Sequence, residues 1–183
     1  MQAFPYSEAE VIDFLRQRAP ELLMSVDPTR RPFWGQLTAP QMLAHLTEWV
    51  GRSAGRNSLS VPLPAAHFEP IRQWLLSAAP LANYPPLPAL PASLAADATL
   101  APAVAALRQA LDDFFDYHAR HPAVTSAHPV FGPLTYGQWL VMHFKHFNHH
   151  LLQFGLLPTS LLPYRRAQLL LPGSSVNLNS TPA

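Results

Sequence analysis

"TYGQWLVMHFKHFNHHLLQF", residues 135–154, carries four of the nine histidines of a 183-residue chain, all between 143 and 150. It opens with Thr135 and, three positions on, Gln138. That is a capping box, in which a hydroxyl and a carboxamide satisfy backbone N–H groups that the first turn of a helix leaves free. Placed on a wheel at about 100° per residue, Trp139, Leu140, His143, His146, Phe147, His150 and Phe154 fall within one arc. Lys145, Asn148 and His149 fall outside it. The arc with the large apolar side chains is expected to face the interior, and His149 to reach solvent. Three interior imidazoles bring up to six ring nitrogens that need partners, and mutual repulsion opposes charging them. A metal ion answers both problems. His146 and His150, at i and i+4, stack about 6 Å apart on one face, the spacing with which two helical histidines grip one ion.

Two ligands do not make a tight site, so another element is expected to supply a third. His45 in "QMLAHLTEWV", residues 41–50, is the best candidate, because Gln41, Glu48, Trp49 and Arg52 lie on roughly the same helical face. A face meant only for packing would carry leucine there. The mixture reads as a pocket wall, with Gln41 and Gln153 one turn from His45 and His150 and placed to hold their rings. The competing reading of the cluster is an exposed polyhistidine face. Glu48 reads either as a general base or carboxylate ligand near His45, or as the i+4 ion-pair partner of Arg52. His67, His118, His121 and His128 are given no metal role, and Trp34, Trp49 and Trp139 are expected in the core.

Outward from this helix, the same signals recur. Ser7 and Glu10 form a capping box ahead of Val11, Phe14 and Leu15, which predicts a helix over 7–18 that Pro20 ends or kinks. Thr38 and Gln41 open another over 38–53, with Pro40 tolerated in the first turn. Val104, Leu107, Leu111, Phe114 and Phe115 form the stripe of a helix over 99–120 that stops before Pro122. Five prolines fall in "PLANYPPLPALPA", residues 80–92, a connector between the second and third main helices. Residues 65–78 predict a short extra helix over one end. The fold class expected is therefore all-α, a four-helix bundle, in a single domain over 1–171 followed by a flexible tail over 172–183, "PGSSVNLNSTPA".

Composition narrows the partners. The chain is 49% hydrophobic, enough for one sizeable core. A formal charge of +1 gives no attraction to phosphate backbones or anionic lipid, so neither nucleic acid nor a membrane is expected as partner. Cysteine is absent, which removes disulfides, thiolate ligands and a cysteine nucleophile. Glu8, Glu10 and Asp13 stand where a secretory signal carries basic and then apolar residues, and no apolar run reaches membrane-spanning length. A cytoplasmic protein is expected.

A histidine-bearing helix in "LTAPQMLAHL", residues 37–46, followed by a late helix carrying "HFKHFNHHLLQFG", residues 143–155, resembles the DinB-like (YfiT-like) superfamily of metal-binding four-helix bundles. The fit is closest to an uncharacterised bacterial subgroup in which "HPVFGPLTYGQW", residues 128–139, leads into that helix. The resemblance covers about 34–50 and 128–155. It implies a metal held by His45, His146 and His150, with His149 as the adjacent histidine that does not bind; imidazole ligands suit a divalent ion, zinc or nickel alike. His143 is an addition to the pattern and reads as a fourth ligand, as a hydrogen-bond partner behind the ligands or as pocket lining. The resemblance also implies a homodimer, and a small-molecule substrate in company with a low-molecular-weight thiol. Three neutral histidines leave an ion with open positions, suited to lowering the pKa of water or a thiol. The function expected is metal-dependent chemistry of the thiol S-transferase or hydrolase type, with Glu48 or His143 as proton shuttle. The alternative is a non-catalytic metal- or ligand-binding bundle.

Overall fold

The capping boxes fix where helices begin. In a computed structural model that describes residues 3–56, 68–79, 81 and 99–157, Ser7, Thr38 and Thr135 each accept a hydrogen bond from the backbone N–H three residues on, and the Glu or Gln at that position reaches back. The described residues are mostly helical, with one small sheet.

Helix α1 (Glu8–Asp13) passes through a π-helical turn (Phe14–Arg18) directly into α2 (Ala19–Met24). Pro20 neither ends nor interrupts this run, contrary to the sequence reading. Ala19 N–H bonds to Phe14 O, five residues back, so the backbone is already widened where a proline ring would strike the preceding turn. Pro20 itself sits in the first turn of α2.

Helix α3 (Ala39–Ser53) carries Pro40 in its first turn, and α4 (Phe68–Leu75) is the short extra helix expected over 65–78. Helix α5 (Leu100–Arg120) follows. Strands β1 (Ser126–His128) and β2 (Gly132–Leu134) then pair antiparallel, with Ser126 opposite Leu134 and His128 opposite Gly132. This hairpin departs from the all-helical expectation. Helix α6 (Tyr136–Gln153) closes the described chain. The Pro-rich connector, Leu81 apart, and the tail lie outside the described residues.

Helix α3 packs along α5, while α1, α2 and α3 all touch α6. Leu43, Leu46, Leu107, Leu111, Phe114 and Phe147 are buried in the shared core. Helix α6 is enclosed on nearly every side, which corrects the expected solvent face. Lys145 and Asn148 are buried and His149 is half-buried. The cause is a flank supplied by the N-terminal segment, α4 and the π turn. Phe144 meets the rings of Phe4, Tyr6 and Phe14. Lys145 Nζ stands 5.2 Å from the Trp74 ring centroid and 3.5 Å from the Trp74 carbonyl oxygen. Burial pushes the Lys145 amine down to about 8. Asn148 Nδ2 donates to Phe144 O at 2.7 Å, one turn back. Among the tryptophans, Trp49 and Trp139 are core residues as expected, but Trp34 is 43% exposed on the loop before α3. Among the described residues, no helix is long and apolar enough to cross a membrane.

Candidate metal centre

Thr38 and Thr135 set the phase of α3 and α6, and that phase brings His45 across to the His146–His150 pair. The candidate ligand nitrogens of these three residues all lie within 4.8 Å of one another, a group that can hold a metal ion. His146 Nε2 is 2.9 Å from His45 Nε2 and 3.1 Å from His150 Nε2. Two nitrogens each 2.0–2.1 Å from one tetrahedral ion stand about 3.3 Å apart, so the observed separations are close to those of shared ligation.

The tautomers decide whether these contacts satisfy themselves. Gln153 Nε2 donates to the Trp34 carbonyl oxygen at 2.6 Å, which turns Gln153 Oε1 toward His150 Nδ1 at 2.8 Å. An amide oxygen only accepts, so His150 Nδ1 carries the proton and His150 Nε2 presents a lone pair. His146 Nε2 must then face both that lone pair and His45 Nε2 while holding at most one proton. One N–H points along one direction, so one of the two short contacts is left without a well-directed hydrogen bond. Three lone pairs on a common cation leave no such conflict. His146 Nδ1, on the other side of its ring, is buried with no partner.

Burial also keeps these rings neutral, the form that ligates. It pushes His45 down to about 4, with the nearby His149 adding to the effect. Burial lowers His146 well below the usual histidine range, reinforced by His150 and His45; burial lowers His150 similarly, reinforced by His149 and His45.

The supporting shell matches the sequence reading in part. Gln153 holds a ligand ring as expected, and its own backbone oxygen accepts from Phe33 N at 2.8 Å, tying the loop before α3 to the end of α6. Gly35, at φ +82°, allows that approach, since a Cβ there would collide with Gln153 Nε2. Gln41 does not reach His45. It is spent on the cap of α3, where Gln41 Oε1 accepts from Thr38 N at 2.9 Å.

The two residues expected to move protons are engaged elsewhere. Glu48 Oε1 is 2.8 Å from Arg52 Nε, the i+4 ion pair that is the second of its two sequence readings. His143 is fully buried and does not join the three-histidine group. Its Nε2 lies 2.8 Å from Ser53 Oγ, whose proton goes to Val50 O at 2.7 Å, so His143 Nε2 is the donor. Its ring stacks on Trp139, with centroids 5.3 Å apart. Burial pushes it down to about 3, helped by His128 and His118. His149 lies beside the group, edge-on to Trp34 at 5.9 Å.

His128 was passed over, and the structure gives it a place. A cleft of about 50 Å³ beside the group is lined by Trp49, Leu81, His128, Val130, Phe131, Met142 and His146. His128 stacks on Trp49 with centroids 4.9 Å apart. The legible signal was "HPVFG", where a histidine, a proline and a glycine mark a tight turn.

Fold and site together define a helical protein with three convergent imidazoles on two helices beside a small cleft. Residues 35–156 match DUF1569, a family described as proteins of unknown function. The match takes in α3, α5, the hairpin and α6, well over half of the chain, and the chain belongs to that family. No curated protein and no solved structure matches it.

Proposed function

We propose that this chain is a DinB-like (YfiT-like) four-helix-bundle protein that holds one divalent metal ion, zinc or nickel, on His45, His146 and His150 and uses it for transferase- or hydrolase-type chemistry on a small molecule. The observation that carries this reading is the convergence of the three Nε2 atoms, at 2.9 and 3.1 Å about His146, with His150 locked by Gln153 in the tautomer that ligates. A divalent ion on three imidazoles, with a position left open, supplies Lewis acidity that polarises a substrate group and acidifies a water or thiol.

The chain's own residues do the rest. His45 is presented by α3, and His146 and His150 by α6, so helix packing rather than a loop sets their spacing. Their burial removes competing water and holds them unprotonated. Trp49, Val130, Phe131 and Met142 wall the adjoining cleft with apolar surface, which favours a ligand carrying a small hydrophobic part. The cleft is also what favours chemistry over a closed structural site, because it gives a small molecule a place next to His146.

Elemental analysis of tag-free protein tests the reading. Wild type is expected to hold near one zinc or nickel ion per chain, and His45→Ala and His146→Ala near none. Equal metal content in all three proteins would overturn it.

A further inference from the structure

We infer that His128 donates a hydrogen bond, through Nε2–H, to an oxygen of the small molecule that binds in the cleft beside the three-histidine group. The inference rests on the metal reading above and adds a substrate feature to it: a carboxylate or carbonyl oxygen next to a small apolar part.

Three observations lead there. His128 Nδ1 accepts two backbone hydrogen bonds, from Val130 N at 3.1 Å and Phe131 N at 3.3 Å. Both use the Nδ1 lone pair, so the ring's one proton sits on Nε2. The ring cannot turn to hide that proton. It is held between Trp49, 4.9 Å away and nearly parallel, Phe131 at 4.6 Å and Trp139 at 5.5 Å. It is only 4% exposed, yet it lines the same cleft as His146. None of the hydrogen bonds found for it among the described residues engages Nε2. Trp49 lines the same cleft.

His128 Nε2 is not among the fully buried atoms without a partner, so it opens onto the cleft, and among the described residues the rest of the lining offers no side chain that would accept from it. With His146 Nε2 turned to the ion, His128 is the histidine left to meet a ligand in this cleft. The volume suits a few heavy atoms, the reacting end of a molecule rather than the whole of it. A carboxylate would suit a cleft lined by both His146 and His128, since it could offer one oxygen to an ion held by the three histidines and the other to His128. Neutral imidazole also suits the role, since a fixed N–H aimed at a developing negative charge needs no reorganisation. Burial keeps His128 in that form by pushing it down to about 3.

The test uses the cobalt(II)-loaded full-length protein and acetate as the probe, read by visible absorption of the ion. His128→Asn is the informative variant. Asparagine Oδ1 can take over the two backbone N–H groups and keep the turn, but its side chain ends short of the Nε2 position. Acetate is expected to bind His128→Asn at least about tenfold more weakly than wild type, with cobalt content unchanged at near one per chain. Equal acetate affinity in the two proteins would overturn the inference and leave the metal reading standing. Failure of wild type to hold cobalt at His45, His146 and His150 would instead remove the metal reading, and this one with it. A second measurement needs no variant. Nitrogen NMR of the zinc-loaded wild type is expected to show His128 protonated on Nε2 at neutral pH, with that proton moving downfield when acetate is added. A resonance unmoved by saturating acetate would overturn the inference as well.

Discussion

At the scale of single residues, the site depends on which nitrogen carries a proton. Gln153 settles this for His150, because the Trp34 carbonyl fixes the orientation of its amide. Gln153→Leu keeps the volume and removes that lock. Metal affinity is expected to fall about 10- to 100-fold, measured by competition with a chromogenic chelator, while His150→Ala loses the metal altogether. An unchanged affinity would mean that the amide does not set the ring. This partner was legible in the sequence, since Gln153 follows His150 by three positions and both fall toward one face. Gln41 looked equivalent beside His45 and is not. The capping box makes a stronger local claim on its side chain than a histidine one turn away, and a helical wheel does not weigh such competition. The turn at His128 was legible but its place beside the site was not, for a related reason. A histidine before Pro-Val-Phe-Gly reads as a turn residue, and only the tertiary packing of Trp49 and Trp139 around it shows that the turn faces the site.

At the scale of elements, local signals served well where hydrogen bonding is local. All three capping boxes form, and the helices start where they indicate. What escaped were elements decided by neighbours. Each hairpin strand has three residues, too few to show alternation, and Pro133 argues against a strand. The π turn compensates for Pro20 in a way that no propensity encodes. The hairpin nonetheless matters to the site, because His128 ends β1. Its tightest point is Gly132, at φ +72°, where an added Cβ would lie 2.6 Å from ring carbons of Phe68. Gly132→Ala is therefore expected to cost about 1–3 kcal/mol, from left-handed strain and displacement of Phe68 together. Thermal unfolding checks this, and a melting temperature equal to wild type would show that the hairpin is not held as described. Thr135→Ala, which removes a cap without touching the core, is expected to cost about 1 kcal/mol by the same measurement.

At the scale of the whole molecule, the protein folds around imidazoles that it keeps uncharged, and this ties its stability to pH. His128 and His143, both almost fully buried, are pushed from an ordinary 6.5 down to about 3, chiefly by desolvation. Above pH 6.5 these rings are neutral in the folded and unfolded chain alike and contribute no pH dependence. Below 6.5 the unfolded chain takes up protons that the folded chain refuses, so the unfolded state is favoured progressively until the pH approaches 3. Metal-free protein is expected to lose stability steadily from pH 7 to pH 4.5, seen as a falling midpoint of urea unfolding. His143→Phe keeps an aromatic ring against Trp139 and removes one of these titrating groups. Its midpoint is expected to start lower, through the lost bond to Ser53, but to fall less steeply with pH. A bound divalent ion adds to the same slope, because His45, His146 and His150 ligate only when unprotonated and protons compete for the unfolded chain. Zinc-loaded protein should accordingly gain most over the metal-free form near neutrality and lose that advantage as the pH drops below 6. A midpoint independent of pH over this range would mean that water reaches these rings and that the enclosed, neutral core from which the centre is built does not exist in solution.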